Sequence, residues 1–330
     1  MPELPEVETV KRGLLKLIVG KRFKSASSDN ARSFPNAEHD VNQFLIGSKI
    51  TDVRRRAKVL LIDLSTNYTL VIHLKMTGQL VFVGGRAADV TSRKDTLQPK
   101  SDQVPGPLSD LERSSVLDGS ASEGDQNTRF AGGHPTDSLI GILPDKSTRV
   151  TFEFDDGSHL YFNDQRKFGW VRLMPTAEVP NIDFMKRVGP EPLEAGFTVS
   201  QFAERFKRRA RTTIKAAILD QSVIAGVGNI YADESLWGAK IHPGRLVGTI
   251  TDAEFRKLYI EVRAVMNLSI EKGGSTNRNY VNAEGKRGSY MDFARVFRRE
   301  GLPCPRCGTE IVKIRVAGRG THICPFCQQI

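Results

Sequence analysis

"CPRCGTEIVKIRVAGRGTHICPFC", Cys304–Cys327, holds all four cysteines of a 330-residue chain as two C-x2-C pairs separated by sixteen residues. That spacing is the pattern of a four-thiolate zinc site, in which two tight turns each present a pair of sulfurs to one tetrahedral ion. Two disulfides would use the same residues, but they are rare in the reducing compartment expected for a chain with no secretion signal and no further cysteine. Cys304, Cys307, Cys324 and Cys327 are therefore expected to hold one Zn2+. Four thiolates leave no open coordination position, so the ion is expected to be structural. Between the pairs, two short strands flank "AGRGT", which predicts a hairpin with Arg319 at its tip. A lone arginine in a turn is ordinarily a solvated charge; on a metal-clamped hairpin it becomes a candidate functional group.

Moving upstream, "SQFAERFKRRARTTIKAAILDQ" (200–221) and "DAEFRKLYIEVRAVMNLSIEKGG" (252–274) have helical spacing, with the glycine pair as a stop. Between them "DQSVIAGVGNIYADESLW" (220–237) places Gly226, Gly228 and Asn229 at a tight turn before a helix, whose free N–H groups suit a phosphate oxygen. Arg211 and Lys215 are four apart, which predicts one helical face flanking the same phosphate. Further upstream, "VLLIDLSTNYTLVIHLKMTGQLVFV" (59–83) and "RVTFEFDDGSHLYFNDQRKFGWVRL" (149–173) alternate like strands, the second with a turn at "DDG". The class expected is α+β: a sheet-based N-terminal domain, then a helical one, then the metal hairpin. The stretch 87–145 is rich in Ser, Asp, Gly and Pro with no sustained period, and reads as a flexible insertion between two strands.

Charge narrows the partner. The chain has a net charge of +10; residues 186–330 hold 24 basic against 14 acidic side chains, whereas residues 1–185 hold 24 of each. Within that neutral half, 87–145 carries 5 basic and 10 acidic residues, so its remainder is +5. Two basic regions favour nucleic acid, and the acidic insertion is expected to stay off it. No apolar run approaches membrane-spanning length, so the expectation is a cytoplasmic, monomeric protein with no membrane partner.

"MPELPEVETV" (1–10) crowds prolines and glutamates into a helix start, where both are suited. Trimming of Met1 would also leave Pro2 as a free secondary amine beside the carboxylate of Glu3, a reactive pair. With this N-terminus, "AGVGNIYADE" between helices and the C-x2-C…GRGT…C-x2-C finger, the chain resembles bacterial formamidopyrimidine-DNA glycosylase along nearly its whole length, the acidic insertion apart.

The resemblance implies an N-terminal catalytic β-sandwich domain with flanking helices over 1–180, a helix-two-turn-helix DNA-binding domain over 186–285 and a zinc finger over 296–330. It also implies a base-excision repair enzyme acting on damaged double-stranded DNA. Such an enzyme removes 8-oxoguanine and formamidopyrimidines, then cuts the strand at the abasic site. Pro2 would attack the deoxyribose C1′ to give an iminium; a terminal amine, with a reference pKa of about 8, is more often neutral than a lysine near 10. Glu3 would be the general acid, Lys58 the proton donor in β-elimination, and Arg319 the residue of δ-elimination and a phosphate contact. Glu6 matches a further acid near the amine. Met76, Arg166 and Phe168 match the set that fills the gap left by an extruded base, as two apolar wedges and a hydrogen-bonding guanidinium would. Ser147 stands where relatives carry a phosphate-contacting histidine, and His134 falls within the insertion and is a poor substitute. The stretch 277–297 is expected to be a mobile loop over the everted base. Two other readings remain open in the sequence: an endonuclease VIII-like enzyme for oxidised pyrimidines, and a non-catalytic zinc-containing DNA binder.

Overall fold

The computed structural model describes residues 2–84, 128–134, 137–275 and 290–330. Eleven strands are described: β1 (Phe23–Ser28), β2 (Ile50–Arg56), β3 (Val59–Leu64), β4 (Tyr68–His73), β5 (Gly78–Val83), β6 (Arg129–Gly133), β7 (Thr148–Phe154), β8 (His159–Asp164), β9 (Trp170–Pro175), β10 (Val312–Val316) and β11 (Arg319–Ile323). They form a five-stranded sheet of order β1-β7-β8-β5-β6, a four-stranded sheet of order β2-β3-β4-β9 and the hairpin β10-β11, and every pairing is antiparallel.

The two larger sheets enclose one core, because alternate residues of each strand point inward. Leu60, Ile62, Leu70 and Ile72 from one sheet meet Leu80, Phe82, Phe152 and Phe162 from the other. Helix α1 (Leu4–Ile18) closes the sandwich with Val7, Val10, Leu14 and Ile18, the spacing of a single helical face. Leu4, at the start of the same helix, instead enters the second core, which is built by the C-terminal helices. One helix thus keys into both domains, and a fully buried leucine contributes about 2–3 kcal/mol of burial to that join.

Short helices α2 (Glu38–Asp40) and α3 (Asp183–Arg187) lie in the connections. The helical domain comprises α4 (Val199–Lys207), α5 (Ile214–Leu219), α6 (Asn229–Gly238) and α7 (Asp252–Glu271). The stretch expected to run helically from 200 to 221 is broken at 208–212, where the chain turns and Thr213 caps a new helix by accepting from Ala216 N at 3.2 Å. Helix α7 starts in a reciprocal cap, with Thr251 Oγ1 accepting from Glu254 N and Glu254 Oε2 accepting from Thr251 N. It stops at Gly273 and Gly274, both with positive φ.

The insertion expected at 87–145 is narrower than its composition implies. Residues 128–134 and 137–145 are folded: β6 pairs with β5, Phe130 is buried, and its ring lies where a Cβ on Gly13 would come within 2.1 Å. Arg129 then organises the next loop, its guanidinium donating to the carbonyls of Ser138, Leu139 and Gly141. Two short apolar motifs among polar residues carried this structure, too few for a periodic signal. The rest of the insertion expectation, 87–127 and 135–136, lies outside the described residues. His134 closes β6 with its N–H on Gly78 O at 3.0 Å, so it does not belong to a flexible stretch.

Candidate active site

The two cores meet at a cleft of about 390 Å³ lined by Glu3, Lys58, Met76, Gln221, Gly228, Asn229, Phe297, Arg298 and Arg319, among others. The N-terminus is held there by backbone and side chain together. Leu4 N donates to Gly226 O at 3.1 Å, and Glu6 Oε2 accepts from Glu3 N at 2.8 Å. The other Glu6 oxygen accepts from the Tyr231 hydroxyl and from Ser275 N. Burial keeps that tyrosine neutral, with its pKa well above the usual value, so it stays a donor. Glu6 thus anchors the N-terminal turn. Pro2, which precedes Glu3, is buried.

Glu3 is buried, and burial pushes its carboxyl up to about 7 against the opposing pull of Lys58. One oxygen accepts from Ile230 N at 3.3 Å, at the positive end of α6; the other has no hydrogen-bond partner among the described residues. Gly226 and Gly228 are required by this approach. A Cβ on Gly228 would stand 2.2 Å from Glu3 Cδ, and one on Gly226, whose φ is +83°, would meet Leu4 at 2.4 Å. The glycine turn therefore accommodates the N-terminus as well as exposing the start of α6.

Lys58 lies in the β2–β3 turn and is buried, with Nζ donating to Val227 O at 3.1 Å. Burial lowers its pKa, Glu3 and Glu6 oppose that, and Arg319 adds to it. A polarised, partly desolvated ammonium beside a carboxyl near neutrality is a proton-transfer pair. Gln221, which sequence reasoning missed, supports the same carbonyl: its Nε2 donates to Val227 O at 2.9 Å and its Oε1 accepts from Gly226 N at 2.9 Å.

Met76, Arg166 and Phe168 come together on two neighbouring turns. Met76 is 39% and Phe168 55% exposed, and the Arg166 guanidinium lies 4.8 Å from the Phe168 ring centroid. Buried Asp164 fastens these turns: it pairs with the Thr77 hydroxyl and accepts from Arg166 N at 3.2 Å and Gly169 N at 2.6 Å. His73, whose pKa burial pushes down to about 3, is neutral and accepts from Lys75 N at 3.0 Å, shaping the turn before Met76. Neither role was visible in sequence, because both residues act through backbone N–H groups of distant turns.

One expectation fails. Arg211 is exposed in the turn before α5, whereas Lys215 is 0% exposed and ion-paired with buried Asp233. The helix begins only at Ile214, so the two do not share a face, and Lys215 is a core residue with no access to a phosphate. Ser147 is likewise buried, its hydroxyl on Asp145 and Ser138. The expected loop over the base divides: residues 276–289 lie outside the described residues, while Tyr290–Phe293 form a 3-10 turn and Arg295, Val296 and Phe297 donate their N–H groups to Glu234.

The four cysteine sulfurs lie within 4.8 Å of one another, with Cys307 to Cys324 at 3.4 Å and Cys327 to Cys307 at 3.5 Å. Tetrahedral Zn–S bonds of about 2.3 Å place sulfurs about 3.8 Å apart, so the donor set fits one Zn2+. The hairpin it clamps turns through Ala317 and Gly318, both with positive φ, a tight turn matched to strand twist. Arg319 is the first residue after that turn, paired with Val316. Asn229 Nδ2 donates to Gly320 O at 3.0 Å and ties the hairpin to α6.

Comparison with known proteins agrees with this arrangement. Residues 1–171 match the formamidopyrimidine-DNA glycosylase N-terminal domain, 188–281 the H2TH domain of the same enzymes, and 301–330 a zinc finger found in FPG and IleRS. A formamidopyrimidine-DNA glycosylase of Pediococcus pentosaceus is 39% identical over 99% of each chain, and one of Pelotomaculum thermopropionicum 36% identical over 100% of each. A variant of the Lactococcus lactis FPG bound to Fapy-dG-containing DNA superposes with a TM-score of 0.77 at 30% identity over 100% of both chains. MutM from Thermus thermophilus gives 0.73 at 33% identity, covering 99% of this chain and 98% of that one. No helix among the described residues is long and apolar enough to cross a membrane.

Proposed function

The chain belongs to the formamidopyrimidine-DNA glycosylase family, and from that membership we propose that it excises oxidised purines from duplex DNA and cleaves the resulting abasic site. The observation that carries this reading is the convergence, in one cleft, of a carboxyl near neutrality, a buried ammonium and an arginine around the N-terminal turn. With Met1 removed, the Pro2 nitrogen attacks C1′ of the extruded nucleotide; the N–C1′ bond forms as the glycosidic bond breaks, and the base leaves with a proton. Glu3 supplies a proton to the opening sugar or the base, because its carboxyl is protonated up to about neutral pH. The iminium acidifies C2′–H, whose loss expels the 3′ phosphate; a second elimination expels the 5′ phosphate, with Arg319 at the elimination site. Lys58 donates within the same cleft.

Met76 and Phe168 enter the stack while Arg166 pairs with the widowed base. Arg211 and Asn229 hold backbone phosphates. Cys304, Cys307, Cys324 and Cys327 would hold one Zn2+, which would clamp the two ends of the hairpin that carries Arg319. The place of action is chromosomal DNA in the cytoplasm.

The test is excision from otherwise identical duplexes carrying 8-oxoguanine or thymine glycol, with borohydride present to trap the covalent complex. Preferential trapping on 8-oxoguanine is expected. Preference for thymine glycol would move the chain to the pyrimidine-directed branch, and binding without trapping would make it a non-catalytic binder.

A further inference from the structure

The fully buried cluster Lys215–Asp233–His322 plays no part in the chemistry above, yet it joins three separate elements, α5, α6 and β11. Asp233 spends both oxygens. Oδ1 pairs with the Lys215 ammonium, and Oδ2 accepts from His322 twice, from the backbone N at 3.0 Å and from Nδ1 at 3.1 Å. All three residues are 3% exposed or less. The ammonium neutralises the carboxylate, which would otherwise be a costly uncompensated charge in the core.

Asp233 stands four residues after Asn229 on α6, and His322 two residues after Gly320 on β11. Four residues of helix rise about 6 Å. Two residues of strand rise about 6.6 Å. The two repeats match, so α6 grips the hairpin at two points, Asn229 on Gly320 O and Asp233 on His322. Arg319 is the residue next to the first grip, on the side facing the cleft. Arg306 ties the cysteine end of the finger to the carbonyls of Trp237 and Gly238 at 3.1 and 3.3 Å, and within β11 the Asp233–His322 grip holds the strand against α6 beside the grip at Gly320.

We infer that Asp233 and His322 are positioning residues that fix Arg319 over the cleft, and that they govern the second elimination rather than base release. The inference rests on the proposed role of Arg319, so the experiment separates the two. Three full-length, zinc-loaded variants are compared with the parent on duplex carrying a preformed abasic site: Arg319→Gln, His322→Asn and His322→Gln. The asparagine amide nitrogen occupies the place of Nδ1, whereas that of glutamine reaches toward the place of Nε2, which faces Glu300 at 3.3 Å. The readouts are the ratio of 3′-phosphate to 3′-unsaturated-aldehyde ends, the rate of borohydride trapping and zinc per chain.

His322→Asn is expected to keep the parent ratio, and His322→Gln to lower the 3′-phosphate share at least five-fold with trapping and zinc unchanged. Equal ratios in the two His322 variants would overturn the inference, as would a fall in trapping that matches the fall in 3′-phosphate. Should Arg319→Gln leave the ratio unchanged, the role of Arg319 itself would fail. If His322→Gln loses zinc, the double variant Lys215→Met, Asp233→Leu, which removes the acceptor of His322 without stranding the buried ammonium and sits outside the finger, replaces it; it is expected to lower the ratio, and an unchanged ratio there would overturn the inference.

Discussion

Replacing Glu3 by Gln should stabilise the protein while removing its base-release step. The carboxyl is buried, and the rise from its usual value of 4.5 to about 7 is the extra free energy of ionising it in the fold rather than in the unfolded chain. At about 1.4 kcal/mol per pH unit, this amounts to about 3 kcal/mol. A carboxyl whose folded pKa is raised is most favourable to folding while protonated, so the parent loses stability as pH rises from 4.5 toward 7. Glutamine mimics the protonated acid, and its oxygen still accepts from Ile230 N. Urea denaturation should therefore find the two proteins equal near pH 4, Glu3→Gln more stable by about 2 kcal/mol at pH 6, and by about 3 kcal/mol at pH 8. Excision of 8-oxoguanine by the parent should fall above pH 7 as Glu3 deprotonates, and the variant should show no excision across the same pH range. A stability difference independent of pH between 4 and 8, or a variant less stable than the parent at pH 8, would refute the reasoning.

Gly228→Ala tests the close approach of the glycine turn. The backbone there, at φ −129° and ψ −162°, accepts any residue, so the nearest obstacle is the Glu3 carboxyl, 2.2 Å from the new Cβ. Displacing it by about 1 Å should cost on the order of 10²-fold in excision, measured by single-turnover kinetics, with melting temperature changed by only a few degrees. Zinc removal by a chelator should unfold the finger, whose small core of Val296, Ile311 and Trp237 depends on the clamp, and leave the sandwich folded around its own core. Hydrogen exchange should show β10 and β11 losing protection while β3 and β4 keep theirs; collapse of both would contradict the separation.

Much of this was legible because strong local signals carried it. The cysteine spacing, the glycine pair after α7, the turn at Gly157 and the alternation of β3, β4, β7 and β8 each dictate backbone on their own. Lys215 was misread because a lysine four residues from an arginine looks like a helical face. Only the partner, Asp233, eighteen residues on, reveals that it belongs to the core. Strand β6 was missed for the opposite reason: "RFAGG" is too short to stand out, and what folds it is Gly13 of a distant helix and the edge of β5. Asp164, Gln221 and His73 act on backbone groups far along the chain, and no sequence period records such contacts.

The central claim is that the Pro2 nitrogen bonds the sugar. Borohydride reduction on 8-oxoguanine duplex, followed by digestion and mass spectrometry of the cross-linked peptide, tests it most directly. The account predicts a deoxyribose remnant on the peptide beginning at Pro2, and none in a protein that retains a tag before that residue. A remnant on Lys58 or any other lysine of the untagged protein would contradict it.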